Sequence, residues 1–142
     1  MPAGLEYEPA VVLEQLGIHI KHTWLRDTWG AWCPSLRTIV IASGLSAVQE
    51  RCILAHELEH VLADDAGCAE GPLAIRLERA ADRAAARKLV AISDLAEVAK
   101  WAPDVHTAAA KLRVTERMLR VRLDDLEGEG WPWPQAGSKI AG

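Results

Sequence analysis

The segment His56-Glu57-Leu58-Glu59-His60 constrains this chain more than any other part of its sequence. Two histidines four residues apart project from the same face of a helix, one turn apart, so His56 and His60 can bind one metal ion together. Residues 52–55 and 61–63 on either side are apolar, which predicts that this helix is largely buried. A surface helix with chance polar residues is the alternative, but buried histidines and glutamates need partners, and a metal ion provides one.

A catalytic zinc site takes three protein ligands and keeps one position open. Glu57 adjoins the first histidine, where a carboxylate can act as general base, taking a proton from the attacking water and returning it to the leaving amine. The third ligand must come from another element. Glu78 is a carboxylate on an otherwise apolar, small-residue face of the next long helix, and we expect it to complete a Zn²⁺ site with His56 and His60.

Other acidic and thiol groups leave alternatives open around this site. Alternatively, Glu78 forms an ordinary ion pair with Arg79 or Arg83 and does not bind a metal. Asp82, one turn further on, is expected to support a histidine ring nitrogen rather than bind the metal. Asp64, one turn after the second histidine, is the next candidate ligand. Cys68 is a weaker one, because thiolate sites usually show paired cysteines.

Local signals predict a mainly helical α+β fold with a small antiparallel sheet. Ser46 followed by Gln49 has the spacing of a capping box, and Pro72 fits the first turn of a second long helix. Thr115 is a candidate N-cap near the end of the chain. The predicted helices span about 8–16, 46–64, 72–92, 93–102, 104–112 and 115–126, and the extended segments 18–24 and 38–41.

Length and charge limit the class of protein. A chain of 142 residues has room for one compact domain, predicted at 1–126 with a C-terminal helical region at 93–126. Residues 127–142, rich in Pro and Gly and without periodicity, are predicted to be a flexible tail. The net charge of -4 argues against a broad basic surface for nucleic acid. No apolar run approaches a membrane span and no secretory signal is present, so we expect a cytoplasmic location.

These segments resemble the ImmA/IrrE metallopeptidases, in which a strand precedes a helix with HELGH and a second helix carries a glutamate-alanine-aspartate pattern. The matching residues here are 39–41, 54–60 and 78–85. The resemblance covers roughly residues 13–126 and implies a zincin-like fold, zinc at His56, His60 and Glu78, and Glu57 as general base. Family members cut or otherwise inactivate helix-turn-helix repressors of phages and integrative elements, or act in the bacterial response to DNA damage.

Three stretches depart from the family pattern. Glu59 stands where the family usually has Gly, and it is expected to face away from the ion. Ala84-Ala85 replaces Phe-Ala, and residues 89–92 read Leu-Val-Ala-Ile instead of Leu-Leu-Met-Pro. These differences bear on the substrate more than on the metal.

The leading hypothesis is therefore a zinc metalloendopeptidase that hydrolyses a protein regulator, such as the repressor of a phage or mobile element. One alternative is a zinc-stabilised antirepressor that captures its partner without cutting it. A second is a DNA-binding regulator that uses the C-terminal helices with Arg117, Arg120 and Arg122, although the acidic balance of the chain argues against it. His106 could assist as an oxyanion donor, but a lone histidine is more often structural.

Overall fold

The computed structural model of the chain describes residues 3–65, 70–126 and 130–133. Within these residues the chain forms six α-helices and three strands, which confirms the mainly helical α+β fold. In chain order they are α1 (Pro9–Gln15), β1 (His19–Thr23), β2 (Gly30–Cys33), β3 (Thr38–Ala42), α2 (Ala47–Leu62), α3 (Gly71–Leu89), α4 (Ile92–Ala99), α5 (Val105–Leu112) and α6 (Glu116–Asp125). Short 3-10 helices cover Gly4–Glu6 and Pro34–Leu36.

The sheet is mixed, and the prediction of a wholly antiparallel sheet is wrong. Its strand order is β1-β3-β2, with β3 antiparallel to β2 and parallel to β1. The reason lies in the composition of the strands: Ile39 and Ile41 are fully buried, whereas His19, Lys21 and His22 of β1 are exposed. The most apolar, β-branched strand takes the centre and the polar strand an edge, so a simple β1–β2 hairpin does not form.

The chain divides into two compact units by its internal contacts. The sheet unit comprises Glu8–Ala85, and the helical unit comprises Met1–Tyr7 together with Ala86–Gly142, so that the boundary falls inside α3. In the sheet unit α2 packs on α1, β2 and β3. Its core is made of aliphatic side chains that are almost fully buried: Leu13, Ile39, Ile41, Leu54, Ala55 and Leu58.

Helices α4 to α6 of the helical unit begin and end largely where the sequence signals place them. Asp104 caps α5 by accepting from the Thr107 backbone N–H at 2.7 Å, and Thr115 caps α6 by accepting from Met118 at 3.1 Å. Helix α5 packs against both α4 and α6. The core between them contains fully or nearly fully buried side chains: Leu95, Ala109, Leu112, Met118, Leu119 and Leu123.

Part of the segment after α6 is packed rather than free. Trp133 is only 4% exposed, and its indole Nε1 donates to the backbone oxygen of Ala102 at 3.2 Å. Residues 127–129 and 134–142 of the predicted tail lie outside the described residues. In the portion of the chain that is described, none of the helices is both long enough and apolar enough to span a lipid bilayer.

Candidate metal centre

Helix α2, which carries both histidines, begins at the predicted capping box. The Gln49 N–H donates to Ser46 Oγ at 3.1 Å, and the Ser46 N–H donates to Gln49 Oε1 at 2.9 Å, which confirms that motif. The reciprocal pair satisfies two backbone donors that a helix start otherwise leaves unbonded. The capped helix buries its apolar face against the sheet, which fixes the rotation of α2 and hence the direction in which the histidines point.

The two imidazoles converge as their spacing predicts. The Nε2 atoms of His56 and His60 lie 3.2 Å apart, and the rings meet edge to face with centroids 4.9 Å apart. Glu78 on α3 reaches both of them: its Oε2 lies 2.8 Å from His56 Nε2 and its Oε1 lies 2.9 Å from His60 Nε2. The structure therefore brings together the three side chains that the sequence nominated as ligands, with one donor atom from each within 4.8 Å of the others.

Each histidine contacts a carboxylate through its other ring nitrogen. His56 Nδ1 lies 2.8 Å from Asp82 Oδ1, and His60 Nδ1 lies 2.9 Å from Asp65 Oδ2. A carboxylate accepts hydrogen bonds, so both Nδ1 atoms carry the proton and donate it. In a neutral imidazole the Nε2 atom is then an acceptor, which fixes the tautomer that a metal ligand requires.

With these protonation states, positive charge among the three side chains would stabilise the cluster. With protons on Nδ1, the Nε2 lone pairs of His56 and His60 face each other and the two oxygens of Glu78. Such a set of acceptors is repulsive unless two imidazolium protons or one metal ion lies among them. The Nε2–Nε2 separation of 3.2 Å is close to the roughly 3.3 Å between two ligand atoms of a tetrahedral zinc with bonds of about 2.0–2.1 Å. The donor set therefore fits a zinc-sized ion.

Glu57 lies on α2 beside this cluster and is 8% exposed. The backbone N–H of Trp32 in β2 donates to its carboxylate. A Cβ atom added at Gly30 would lie 3.5 Å from Glu57 Cγ and only 2.7 Å from Ile53 Cγ2. Because glycine has no Cβ, β2 can approach α2 closely at this position. Edge strand β2 and helix α2 thus hold the carboxylate between them.

Burial and charge shift the proton affinities of two groups in the site. Burial raises the pKa of Glu57 and the nearby Glu78 carboxylate raises it further, against the opposing effect of His56 and His60. For His56, burial alone lowers the pKa, but the hydrogen bond and charge of Asp82, with the charges of Glu57 and Glu78, raise it overall. A buried carboxylate with an elevated pKa beside paired histidines is typical of a site that moves protons.

Of the other predicted ligand candidates, Asp64 does not contact the histidines, and the carboxylate that contacts His60 was not predicted. Asp64 is exposed and has a left-handed backbone with φ of 57°, so the carboxylate that contacts His60 is that of its neighbour Asp65. Two adjacent aspartates at the end of the histidine helix were the available signal for this contact. Glu59 is buried at 9% exposure. Cys68 lies outside the described residues.

His106 belongs to the helical unit, where its Nδ1 lies 2.9 Å from Glu116 Oε1. This contact gives the histidine a structural partner of its own. The role of His106 as an oxyanion donor stays a prediction, as do the roles of His56, His60 and Glu78 as metal ligands and of Glu57 as the base.

Comparison with known families identifies one match that covers most of the chain. Residues 9–124 match the family model Peptidase M78, described as the IrrE N-terminal-like domain. The matched range contains the two histidines, Glu57 and Glu78, together with all three strands. No curated protein matches the chain.

Proposed function

This chain belongs to the IrrE N-terminal-like family of M78 peptidases, and from that membership and the geometry of its metal centre we propose that it is a zinc-dependent endopeptidase. The family supports a metallopeptidase-type function, and a peptidase acts on a protein substrate. One observation carries the proposal: His56, His60 and Glu78 meet, and the Nδ1 atom of each histidine contacts a carboxylate, which leaves Nε2 available as a ligand.

The three ligands would hold Zn²⁺ through two imidazole nitrogens and one carboxylate. When bound there, zinc supplies an acidified water and polarises the scissile carbonyl. His56 and His60 are oriented by Asp82 and Asp65, so little reorganisation is needed on binding.

Glu57 is the residue that we assign to proton transfer. It is held by the Trp32 backbone N–H, and its buried position raises its pKa toward the range in which a carboxylate both accepts and returns a proton. In hydrolysis it would take a proton from the attacking water and pass it to the nitrogen of the leaving amine. The products are a free carboxylate and a free amine, so no redox partner is required.

For the substrate, we propose a helix-turn-helix repressor of a phage or mobile element, on the resemblance of the sequence to the ImmA/IrrE proteins. Such a substrate would place the chain in the cytoplasm. The rival in which the chain captures its partner without cutting it shares the metal site but does not need Glu57. The proton-transfer residue therefore separates cleavage from capture.

The test combines metal analysis of the purified chain with mass spectrometry of a mixture of bacterial proteins after incubation with it. We expect the unaltered chain and Glu57→Gln to bind one zinc per chain, and His56→Ala and Glu78→Ala to lose it. Cleavage should fall by about 10²–10⁴-fold in Glu57→Gln. His22→Ala is the matched control, because His22 pairs with Glu50 on the surface at 2.6 Å and should leave zinc and cleavage unchanged.

Three results would contradict the proposal. Zinc retained in Glu78→Ala but lost in His56→Ala would mean that the third ligand is another residue. Full cleavage by Glu57→Gln would remove that glutamate from the mechanism. If Glu57→Gln inactivated a repressor in cells as effectively as the unaltered chain, capture without cleavage would be favoured.

A further inference from the structure

Three arginines form an exposed row on α3, the helix that carries Glu78. Arg76, Arg79 and Arg83 are all exposed, and at about 100° per residue they lie within about 60° of one another around the helix. In the described ranges of the chain none of the three takes part in an ion pair or a side-chain hydrogen bond. Arg87, one turn later, differs, because its guanidinium is paired with Asp125 at 2.7 and 2.8 Å. We call Arg76, Arg79 and Arg83 the arginine row.

The stability of α3 does not account for this row. Like charges three, four and seven residues apart repel one another on a helix surface. The chain as a whole is acidic, with 16 basic and 20 acidic residues. Three exposed arginines that have no ion-pair partner among the described residues are better explained by an external partner.

The row lies on the helix that carries Glu78, turned by about 100–160° around the helix axis from that residue. Glu78 precedes Arg79 directly, and Asp82, which contacts His56, precedes Arg83. Around the helix, Ile75 falls between Asp82 and Arg79, and its side chain is 53% exposed. A segment bound along the row that also covers Ile75 would therefore contact an apolar side chain located between the row and the side of the helix that carries Asp82 and Glu78.

We propose that the arginine row binds an acidic segment of the protein substrate; this proposal rests on the peptidase function proposed above. Arginine presents a planar fork that pairs with a carboxylate through two hydrogen bonds. Arg76 to Arg83 spans about 10 Å, which matches the acidic side chains on a short stretch of peptide. Nucleic acid fits less well, because three charges are few for phosphate binding and an exposed isoleucine adds nothing to it.

The experiment measures binding in the Glu57→Gln background, with zinc present, so that peptides are held and not cut. The probes are a fluorescein-labelled peptide with glutamate at every second position, the same peptide with glutamine there, and an oligothymidylate of equal length. The test variant is Arg76→Gln/Arg79→Gln/Arg83→Gln, in which glutamine keeps the helix propensity. The matched control, Lys21→Gln/Arg26→Gln/Lys100→Gln, removes the same charge from exposed positions elsewhere.

We expect the glutamate peptide to bind about tenfold more tightly than the glutamine peptide, and the test variant to lose about tenfold while the control loses less than threefold. Added salt should weaken binding to the unaltered row and have little effect in the test variant. Equal binding of both peptides, equal losses in test and control variants, or row-dependent binding of the oligothymidylate as tight as that of the peptide would each overturn the proposal. Zinc content and cleavage are measured separately, so failure of the peptidase function is recognised independently.

Discussion

His60 and Asp65 are joined by a 2.9 Å contact between Nδ1 and a carboxylate oxygen, although Asp65 lies beyond the end of the histidine helix. The contact depends on Asp64, whose left-handed backbone, with φ of 57°, turns the chain back on itself. The Asp65 N–H then donates to the His60 carbonyl at 3.0 Å. One backbone turn both ends the helix and orients one of the proposed ligands, so helix termination and metal binding are linked.

The first prediction is that Asp65→Asn weakens zinc binding by about 10–100-fold without abolishing it. An amide is a poorer acceptor than a carboxylate, so the His60 ring becomes less basic and less firmly oriented. Affinity would be measured by competition with a chromogenic chelator, and Asp82→Asn should behave similarly through His56.

Asp64→Asn is the control for that experiment. Its side chain is exposed, and asparagine tolerates the left-handed backbone, so zinc affinity should remain within about threefold of the unaltered chain. If Asp64→Asn weakened binding as much as Asp65→Asn, the carboxylate contact to His60 would not be the cause.

Features set by local sequence were predicted well from the chain alone. The Ser46–Gln49 capping box and the Thr115 cap depend on a few neighbouring residues, and both are present. The convergence of Glu78 and Asp82 on His56 follows from helical periodicity once two helices are assumed to be neighbours. In a regular helix the spacing along the sequence determines which face a side chain lies on, so spacing is sufficient to place Glu78 and Asp82 toward His56.

Features set by distant or irregular structure could not be predicted in this way. The parallel pairing of β1 with β3 depends on which strand the rest of the sheet unit buries, and alternation within each strand contains no such information. The choice of Asp65 over Asp64 depends on one backbone angle in a turn. Burial of Trp133 depends on its contact with Ala102, a residue distant in sequence.

Gly30 gives a second prediction, about packing between β2 and α2. In Gly30→Ala the new Cβ would lie 2.7 Å from Ile53 Cγ2, so the helix or that side chain must move, at a cost of about 1–3 kcal/mol in unfolding free energy. Thermal unfolding would measure the loss. Ile53→Ala removes the clashing methyl, so the double variant should be destabilised by less than the sum of the single ones. Simple additivity would show that Gly30 is not constrained by Ile53.

The third prediction concerns acid stability and uses the two helix caps of the helical unit. The pKa of Asp104 is lowered because the Thr107 backbone N–H donates to its carboxylate. As pH falls toward and below the ordinary aspartate pKa of about 3.9, the unfolded state binds more protons than the folded state, in which the Asp104 pKa is lower. The stabilisation from the ionised Asp104 carboxylate is therefore complete at neutral pH and is lost as pH falls through its folded-state pKa. The stability difference between the unaltered chain and Asp104→Ala should therefore shrink in acid.

Thr115→Ala is the matched control for that series. It removes a neutral cap, so it should cost about 1 kcal/mol at every pH at which the chain is folded. Urea unfolding at pH 7 and pH 3.5 would compare the two. A pH-independent effect of Asp104→Ala would show that its ionised carboxylate is not what caps α5.

The last prediction concerns a buried arginine in the helical unit. Arg122 is 8% exposed; its Nε donates to the Val90 carbonyl at 2.9 Å, and its Nη1 lies 3.5 Å from Asp125, which also pairs with exposed Arg87. Burial lowers the pKa of Arg122 and the charge of Asp125 opposes this, so Asp125→Asn removes a negative charge that compensates a buried cation. We expect Asp125→Asn to cost about 2 kcal/mol in urea unfolding, and Arg87→Gln less than about 1 kcal/mol, because its pair is exposed. In an Arg122→Met background the effect of Asp125→Asn should shrink toward that of Arg87→Gln. An undiminished effect there would show that Asp125 stabilises the unit through another partner.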